Sequence, residues 1–273
     1  MRDINIKRGF DYGEILFTGT CNFRCFYCLG YEMSDSAKID NSAHEHFSKW
    51  KNFKEYLDRL QSNNVKTIYL SSTNSEPMLY PYLGQLIDYL QKLYGFNVGI
   101  RTNGSIDTEI CNELNEEISL SLQSLNKDTF KKITGVDMNF DFLENLGKIK
   151  SKNLRVTIAV NRYNYKEIFD MIEVLRNYKN IKYVQLRKCY KYYNTDIKPD
   201  IDAFEYVMQE LRKFSVKGNY KESIIYDVHG LSVSVWETVF KSESLQTFNY
   251  WTNGVMTSNN LLVEGYKDEC NKH

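Results

Sequence analysis

EILFTGTCNFRCFYC, residues 14–28, joins a short apolar run to three cysteines that lie within eight residues. The run predicts a β-strand over 14–19, and the cysteines follow on a loop at its carboxyl end, where α/β barrels carry their active sites. Three thiolates can ligate three irons of a [4Fe-4S] cluster, and the fourth iron is then left open for a ligand that is not protein. Cys21, Cys25 and Cys28 are therefore the predicted cluster ligands.

The same three cysteines allow a second interpretation. They could form a structural zinc site with His44 or His46 as the fourth ligand, or they could be unrelated buried thiols. Zinc sites commonly combine two closely spaced cysteine pairs, and the remaining cysteines, at 111, 189 and 270, are isolated. This isolation also predicts that there is no auxiliary cluster.

Outward from this loop, apolar β-branched runs alternate with stretches of helical period, a pattern typical of βαβ units. The predicted strands cover 14–19, 65–72, 96–102, 117–123, 154–161 and 181–187. The predicted helices cover 42–62, 81–94, 107–115, 126–134, 139–151, 165–177 and 200–214. The sequence therefore predicts an α/β fold of six successive βα units.

Several predicted strands alternate polar and apolar residues. Ser119, Ser121 and Gln123 alternate with apolar residues in the fourth strand, and the sixth strand shows the same pattern. Strands covered by helices on both faces are apolar throughout, so one face of this sheet is expected to line an interior that holds water or a ligand. A sheet with one face in solvent would show the same alternation.

The C-terminal part has a different pattern. Residues 223–240 predict a β-hairpin around His229-Gly230, and residues 245–266 form an aromatic segment rich in Asn and Gly. We therefore expect a barrel core over 1–195 and a small β-containing C-terminal cap over 196–273, both within one compact domain.

Composition excludes some classes of partner. The 273 residues contain 35 Lys plus Arg and 35 Asp plus Glu, so the net charge favours neither a nucleic acid nor a membrane surface. No apolar stretch has the length of a signal peptide or a membrane span. We expect a cytoplasmic protein with a small-molecule substrate.

CNFRCFYC at 21–28 resembles the CxxxCxxC signature of the radical S-adenosylmethionine (radical SAM) superfamily, and the resemblance extends over roughly residues 13–190. It implies a partial (βα)6 TIM-like barrel. It also implies that the open iron of the [4Fe-4S] cluster chelates S-adenosylmethionine (SAM). An electron then splits SAM into methionine and a 5′-deoxyadenosyl radical, which abstracts hydrogen from the substrate.

Further positions follow from the same resemblance. Asn74-Ser75-Glu76-Pro77 lies where the family has Gly-Gly-Glu-Pro, so Ser75 and Glu76 are expected near the SAM amino group. Both glycines are replaced, which leaves the backbone path open, and the alternative explanation of Glu76 and Pro77 is a cap at the start of a helix. Asn103 resembles the asparagine of the family's Thr-Asn-Gly motif.

The remaining SAM contacts implied by the resemblance lie on the later strands. Ser121 and Gln123 occupy the positions of polar contacts to ribose and methionine, and Asn161 resembles the ribose-binding asparagine. Tyr27 and the main chain at Leu186 are expected near adenine. Ordinary loop hydrogen bonds would explain each polar residue as well.

For the substrate, small members of the family that resemble this chain in size favour a 7-deazaguanine base. The most similar type is queuine lyase, which implies C–N bond cleavage and release of 7-aminomethyl-7-deazaguanine. An electron donor such as flavodoxin or ferredoxin is implied.

Two alternative functions remain. One is an activase of glycyl-radical enzymes, whose usual Asp-x-Lys is not seen at 121–123, and the other is a non-catalytic zinc module. The candidate substrate contacts are Glu14, Asn74, Arg187, Tyr250, Trp251 and Asn253.

Overall fold

A computed structural model describes residues 10–33, 40, 42–189, 201–220, 223–236, 246–258 and 262–270. In this part of the chain eleven strands form one sheet, in the order β11-β10-β1-β2-β3-β4-β5-β6-β9-β8-β7. The strands are β1 Tyr12–Phe17, β2 Thr67–Ser72, β3 Asn97–Thr102, β4 Ile118–Ser121, β5 Leu154–Val160, β6 Ile181–Lys188, β7 Ser215–Tyr220, β8 Ser223–Val228, β9 Leu231–Trp236, β10 Thr247–Trp251 and β11 Met256–Thr257. Strands β1 to β6 are parallel neighbours in chain order, which confirms the predicted α/β fold.

Amphipathic helices connect these strands. The described residues contain α1 Phe53–Ser62, α2 Leu83–Asp88, α3 Lys127–Thr134, α4 Phe142–Lys148, α5 Ile168–Leu175, α6 Ile201–Leu211 and α7 Leu262–Cys270. In α1 the buried residues Phe53, Tyr56, Leu57 and Leu60 recur at helical spacing and face the sheet. None of the described helices is long and apolar enough to cross a membrane.

Two predicted helices differ from the structure. The segment expected as one helix over 42–62 contains two short 3-10 turns, Ser42–His44 and Phe47–Lys49, before α1 begins at Phe53. Asn52 has φ 61°, a left-handed conformation that cannot lie inside an α-helix, so the helix starts only after it. The helix expected over 107–115 is a 3-10 turn at Glu109–Glu113.

The C-terminal segment continues the sheet at both edges. Strand β9 pairs in parallel with β6, and β8 and β7 follow it as antiparallel neighbours. Strand β10 returns to the other edge and pairs in parallel with β1. The predicted cap is thus built from strands of the same sheet, and the expected boundary at 195/196 lies outside the described residues.

One side of the sheet is polar, as the alternation predicts. Register places Arg101 opposite Ser119, Ser119 opposite Arg155, and Arg155 opposite Tyr183, so these side chains share one face. We call this side the polar face; its members include Tyr12, Glu14, Tyr69, Arg101, Ser119, Arg155, Thr157, Tyr183, Gln185 and Arg187. The other side carries the apolar core against the helices.

The polar face is concave. Arg187 on β6 interacts electrostatically with Arg101 on β3 and with Glu14 on β1. In a flat sheet five strand spacings would separate β1 from β6 by about 24 Å, too far for such an interaction in solvent. The sheet therefore curves and brings the polar side chains of β1 and β6 towards a shared interior.

Candidate functional site

The cysteine loop is attached to the end of helix α3. The amide of Arg24 donates to the carbonyl of Thr134 at 2.8 Å, and the amide of Phe26 donates to Ile133 at 3.2 Å. Gly135 ends α3 with φ 70°, a left-handed conformation that suits glycine. These bonds satisfy the last carbonyls of the helix and fix the loop at the carboxyl edge of the sheet.

The three thiols have surroundings that fit cluster ligands. The Sγ atoms of Cys21 and Cys28 accept hydrogen bonds from the amides of Phe23 and Gly30, each at 3.4 Å. Burial raises the pKa of Cys21 to about 11, and burial together with the charges of Cys28 and Cys21 raises the pKa of Cys25. Thiolates held together in this way need a bound cation to offset desolvation and repulsion.

A cluster and a single metal ion differ in the ligand spacing that they need. Within the described ranges no three His, Cys, Asp or Glu side chains are grouped closely enough to hold one ion. A [4Fe-4S] cube instead binds each thiolate at a different iron and so accepts wider spacing. The His46 ring contacts Ser48 Oγ at 2.8 Å and Gln85 Oε1 at 3.2 Å. A cavity of about 250 Å³ opens beside Cys21 and Cys28.

The absence of a side chain at Gly30 leaves space for Asn74, which stands where the family motif has a glycine. A Cβ at Gly30 would lie 2.8 Å from Asn74 Cβ, 2.9 Å from its Cα and 3.0 Å from the carbonyl oxygen of Thr73. Asn74 Nδ2 also donates to the carbonyl of Gly19 at 3.2 Å. The segment after β2 and the cysteine loop are therefore in direct contact.

We expect Gly30→Ala to lose most of the cluster iron, because the added methyl group would displace Cys28 and its amide donor. Iron and acid-labile sulfide per chain after anaerobic reconstitution measure this. Replacing Asn74 by Gly in the same variant should restore part of the iron. Gly147→Ala is the matched control, since its Cβ would meet only the Tyr178 ring, at 3.9 Å. Full iron retention in Gly30→Ala would contradict the expectation.

Glu76 joins the ends of β2 and β3. Its Oε1 accepts from the amide of Met78 at 3.0 Å and from the Thr102 hydroxyl, and its Oε2 accepts from the amide of Asn103 at 2.8 Å. Burial raises the pKa of this carboxyl to about 7, although the three hydrogen bonds lower it. The predicted cap at Pro77 is present, and a carboxylate has about four acceptor positions, so one remains for a ligand.

Asn103 and Ser75 connect the cysteine loop to neighbouring strands. Asn103 Nδ2 donates to Asn22 Oδ1 at 2.8 Å and lies 3.9 Å from Cys21 Sγ. The Ser75 hydroxyl donates to the carbonyl of Thr20 at 3.3 Å. Both predicted cofactor residues are thus next to the loop.

The predicted residues that follow β4 and β5 are linked to each other through Asn164, and Gln123 contacts the cysteine loop. The hydroxyl of Tyr27 donates to Gln123 Oε1, and burial raises the pKa of this phenol. Asn164 Nδ2 donates to the carbonyl of Gln123 at 2.9 Å, and Asn161 Nδ2 donates to that of Ala159 at 2.9 Å.

Two further predicted residues lie at the carboxyl ends of β4 and β6. Ser121 is half-buried at the end of β4, in register with Thr157 on the polar face. The Leu186 side chain packs in the core, and its main chain lies between β5 and β9.

The prediction that Tyr250 and Trp251 stack on a substrate is wrong. The Tyr250 ring is fully buried on the helix side of β10, and its hydroxyl donates to the carbonyl of Lys51 at 2.8 Å. Trp251 is fully buried against the Tyr266 ring, with centroids 5.2 Å apart. Asn253 Nδ2 contacts the Tyr266 hydroxyl at 2.7 Å. These side chains attach the C-terminal segment to the sheet.

The other candidate substrate residues lie on the polar face or beside the cysteine loop. Glu14 is buried on the polar face and forms an ion pair with Arg101. Arg187 lies on the same face, in the carboxyl half of β6. Asn74 lines the cavity beside the cysteines.

Sequence reasoning missed a second ion pair on the polar face. Arg155 Nη1 lies 3.2 Å from Glu117 Oε1, and the Tyr183 hydroxyl donates to Glu117 Oε2 at 2.8 Å. The alternation of β5 could have identified Arg155, because it is in phase with Thr157 and Asn161.

The family model described as "Radical SAM superfamily" matches residues 15–175, more than half of the chain. The chain belongs to this superfamily. Among radical SAM relatives it is 29% identical over 172 residues to a probable GTP 3′,8-cyclase of Saccharolobus solfataricus, covering 60% of this chain and 52% of that protein. It is 24% identical over 212 residues to the GTP 3′,8-cyclase of Synechocystis sp., covering 75% of this chain and 62% of the relative. The chain thus spans about half to three fifths of these relatives.

A solved structure shows a similar fold. Streptococcus suis SuiB is 14% identical with a TM-score of 0.62, covering 91% of this chain and 60% of that chain. SuiB bound to S-adenosylmethionine gives a TM-score of 0.63, covering 90% of this chain and 60% of that chain. As a member of the radical SAM superfamily, the protein uses a [4Fe-4S] cluster and SAM.

Proposed function

We propose that Cys21, Cys25 and Cys28 hold the cluster of this radical SAM enzyme, and that SAM binds beside it across the carboxyl ends of β2 to β6. The convergence of the cysteine loop with Asn103 and Gln123 supports this placement. The proposed SAM contacts are Tyr27, Ser75, Glu76, Asn103, Ser121, Gln123, Asn161 and the main chain at Leu186. When bound and reduced, the two cofactors supply a carbon radical that abstracts a hydrogen atom from the substrate.

Glu76 is the proposed acceptor for the N–H groups of the SAM amino group, and this role makes SAM affinity depend on pH. The carboxyl has a pKa of about 7 without ligand, whereas an N–H donor that bonds to the carboxylate favours the ionised form. SAM affinity should therefore rise with pH through neutrality and be about tenfold weaker near pH 6 than near pH 8.

Equilibrium binding of SAM to the reconstituted protein across this range measures the effect. Glu76→Gln should bind more weakly and show a flat profile, because it has no group that titrates at this position. Its unfolding temperature should be recorded alongside, since Glu76 also joins β2 and β3. The same slope in wild type and Glu76→Gln would contradict the role.

We further infer that the substrate is a small molecule with a guanine-type ring, bound on the polar face. The observation that carries this inference is the presence of carboxylates and aromatic rings on one concave face: Glu14 and Glu117 beside the rings of Tyr12, Tyr69 and Tyr183. A guanine edge presents N–H donors that a carboxylate accepts, and tyrosine rings provide stacking surfaces. The names of the GTP 3′,8-cyclase relatives support the same ring type.

Two reactions on such a ring are compatible with this face. One is C–N bond cleavage of queuine, a 7-deazaguanine base, with release of 7-aminomethyl-7-deazaguanine. The other is cyclisation of GTP, which the relatives' names favour. Both begin with hydrogen abstraction, and both need an electron donor, for which we propose a flavodoxin or ferredoxin.

The test is anaerobic turnover of the reconstituted enzyme with dithionite and SAM, in the presence of GTP, queuine or neither. Mass spectrometry then measures 5′-deoxyadenosine and the substrate-derived product. Stimulation by GTP or queuine, with the matching product, would support the proposal and identify the reaction. Deoxyadenosine formation that neither compound stimulates would contradict a guanine-type substrate and favour a protein partner, as for an activase.

A further inference from the structure

Among the residues that the structure describes, three arginines occupy the polar face, and two of them are paired. Arg101 forms an ion pair with Glu14, and its guanidinium lies 4.9 Å from the centre of the Tyr69 ring. Arg155 pairs with Glu117 and donates from Nε to Ser119 Oγ at 3.2 Å. The charges of these two pairs are locally balanced.

Arg187 is the third arginine, and it has no such partner. Register with Ala159 on β5 places it on the polar face, yet it makes no hydrogen bond or ion pair with any described residue. Desolvation and the charges of Arg155 and Arg101 lower its pKa to about 10. The Arg187 side chain is nevertheless solvent-exposed. A lowered pKa together with solvent exposure is expected for a side chain that lines a concave, water-filled interior.

A second donor without an acceptor lies beside Arg187. Trp236 on β9 is its direct register partner, so the two side chains project from the same face. The indole Nε1 of Trp236 is buried and has no acceptor in the described part of the chain. A buried N–H without a partner is unfavourable, and here it adjoins a guanidinium that has no ion-pair partner among the described residues.

We propose that Arg187 and Trp236 bind an anionic group of the substrate, either a phosphate or a carboxylate. A planar guanidinium donates two parallel hydrogen bonds to such a group, and the indole N–H adds a third. This inference rests on the proposed function for the location of the substrate. It adds that the substrate is anionic, which favours a nucleotide over an uncharged free base.

The test is calorimetric titration of the reconstituted protein with inorganic pyrophosphate and, separately, with malonate. The two probes distinguish phosphate from carboxylate. Arg187→Gln should weaken binding about 10- to 100-fold, and Trp236→Phe, which keeps the ring but removes the N–H, about three- to tenfold. Lys182→Gln is the matched control, since it removes one exposed charge at the start of the same strand.

Equal anion binding by wild type and Arg187→Gln would overturn the proposal, and so would a wild-type protein that binds neither probe. Because Arg187 is exposed and unpaired among the described residues, Arg187→Gln should keep its unfolding temperature and its iron content. Anion binding that depends on Arg187, combined with no turnover of GTP or queuine, would contradict the proposed substrate ring while supporting the anion site. The two proposals can therefore fail separately.

Discussion

Replacing Cys21, Cys25 or Cys28 by alanine is expected to abolish retention of the iron-sulfur cluster. Each thiolate is proposed to bind a different iron, so no cysteine can substitute for another. Loss of one ligand would leave two irons without protein ligands instead of one. The measurement is iron and acid-labile sulfide per chain after anaerobic reconstitution, together with the electron paramagnetic resonance signal after reduction.

Cys189 gives the sharpest control for this experiment. It follows β6 and is close enough to influence the pKa values of Cys25 and Tyr27, yet it lies outside the three-cysteine loop. Cys189→Ala, and Cys111→Ala in the core, should therefore retain iron. Equal losses in all five variants would mean that cluster loss reflects general damage to the fold.

Those features of the site that depend on residues close together in the sequence could be predicted. The cysteine spacing is contained in eight residues, and its position after an apolar run places it at the carboxyl end of β1. The alternation in β4 and β6 identified the polar face, because side chains of a strand alternate between its two sides. Arg187 was a candidate on this basis.

Long-range pairing could not be predicted in this way. Strand β10 returns to β1 across more than two hundred residues, and nothing in TFNYW shows which strand it will join. This pairing puts Tyr250 on the helix side, opposite Ile15, and explains why an aromatic residue that suited a substrate is a core residue. The register between distant strands could not be predicted, because local periodicity carries no information about it.

The ion pair between Glu14 and Arg101 is a second long-range feature, and we expect its disruption to have a large effect on stability. Glu14 is only 3% exposed, whereas Arg101 is 33% exposed. Arg101→Met would therefore leave a buried carboxylate without its cation. We expect the free energy of unfolding to fall by about 2–4 kcal/mol, the lower end reflecting solvent screening at Arg101. Denaturant unfolding of the cluster-free protein measures this without linkage to metal binding.

The matched control is Arg59→Met, which breaks an ion pair of the same type with Glu55 on the surface of α1. Both partners there are more than a third exposed, so the expected change is within about 0.5 kcal/mol. Combining Arg101→Met with Glu14→Leu should recover part of the lost stability, because no buried charge remains. A loss no larger than in Arg59→Met would mean that water enters the polar face freely enough to solvate Glu14. The interior would then be a wet substrate cavity even at the level of β1.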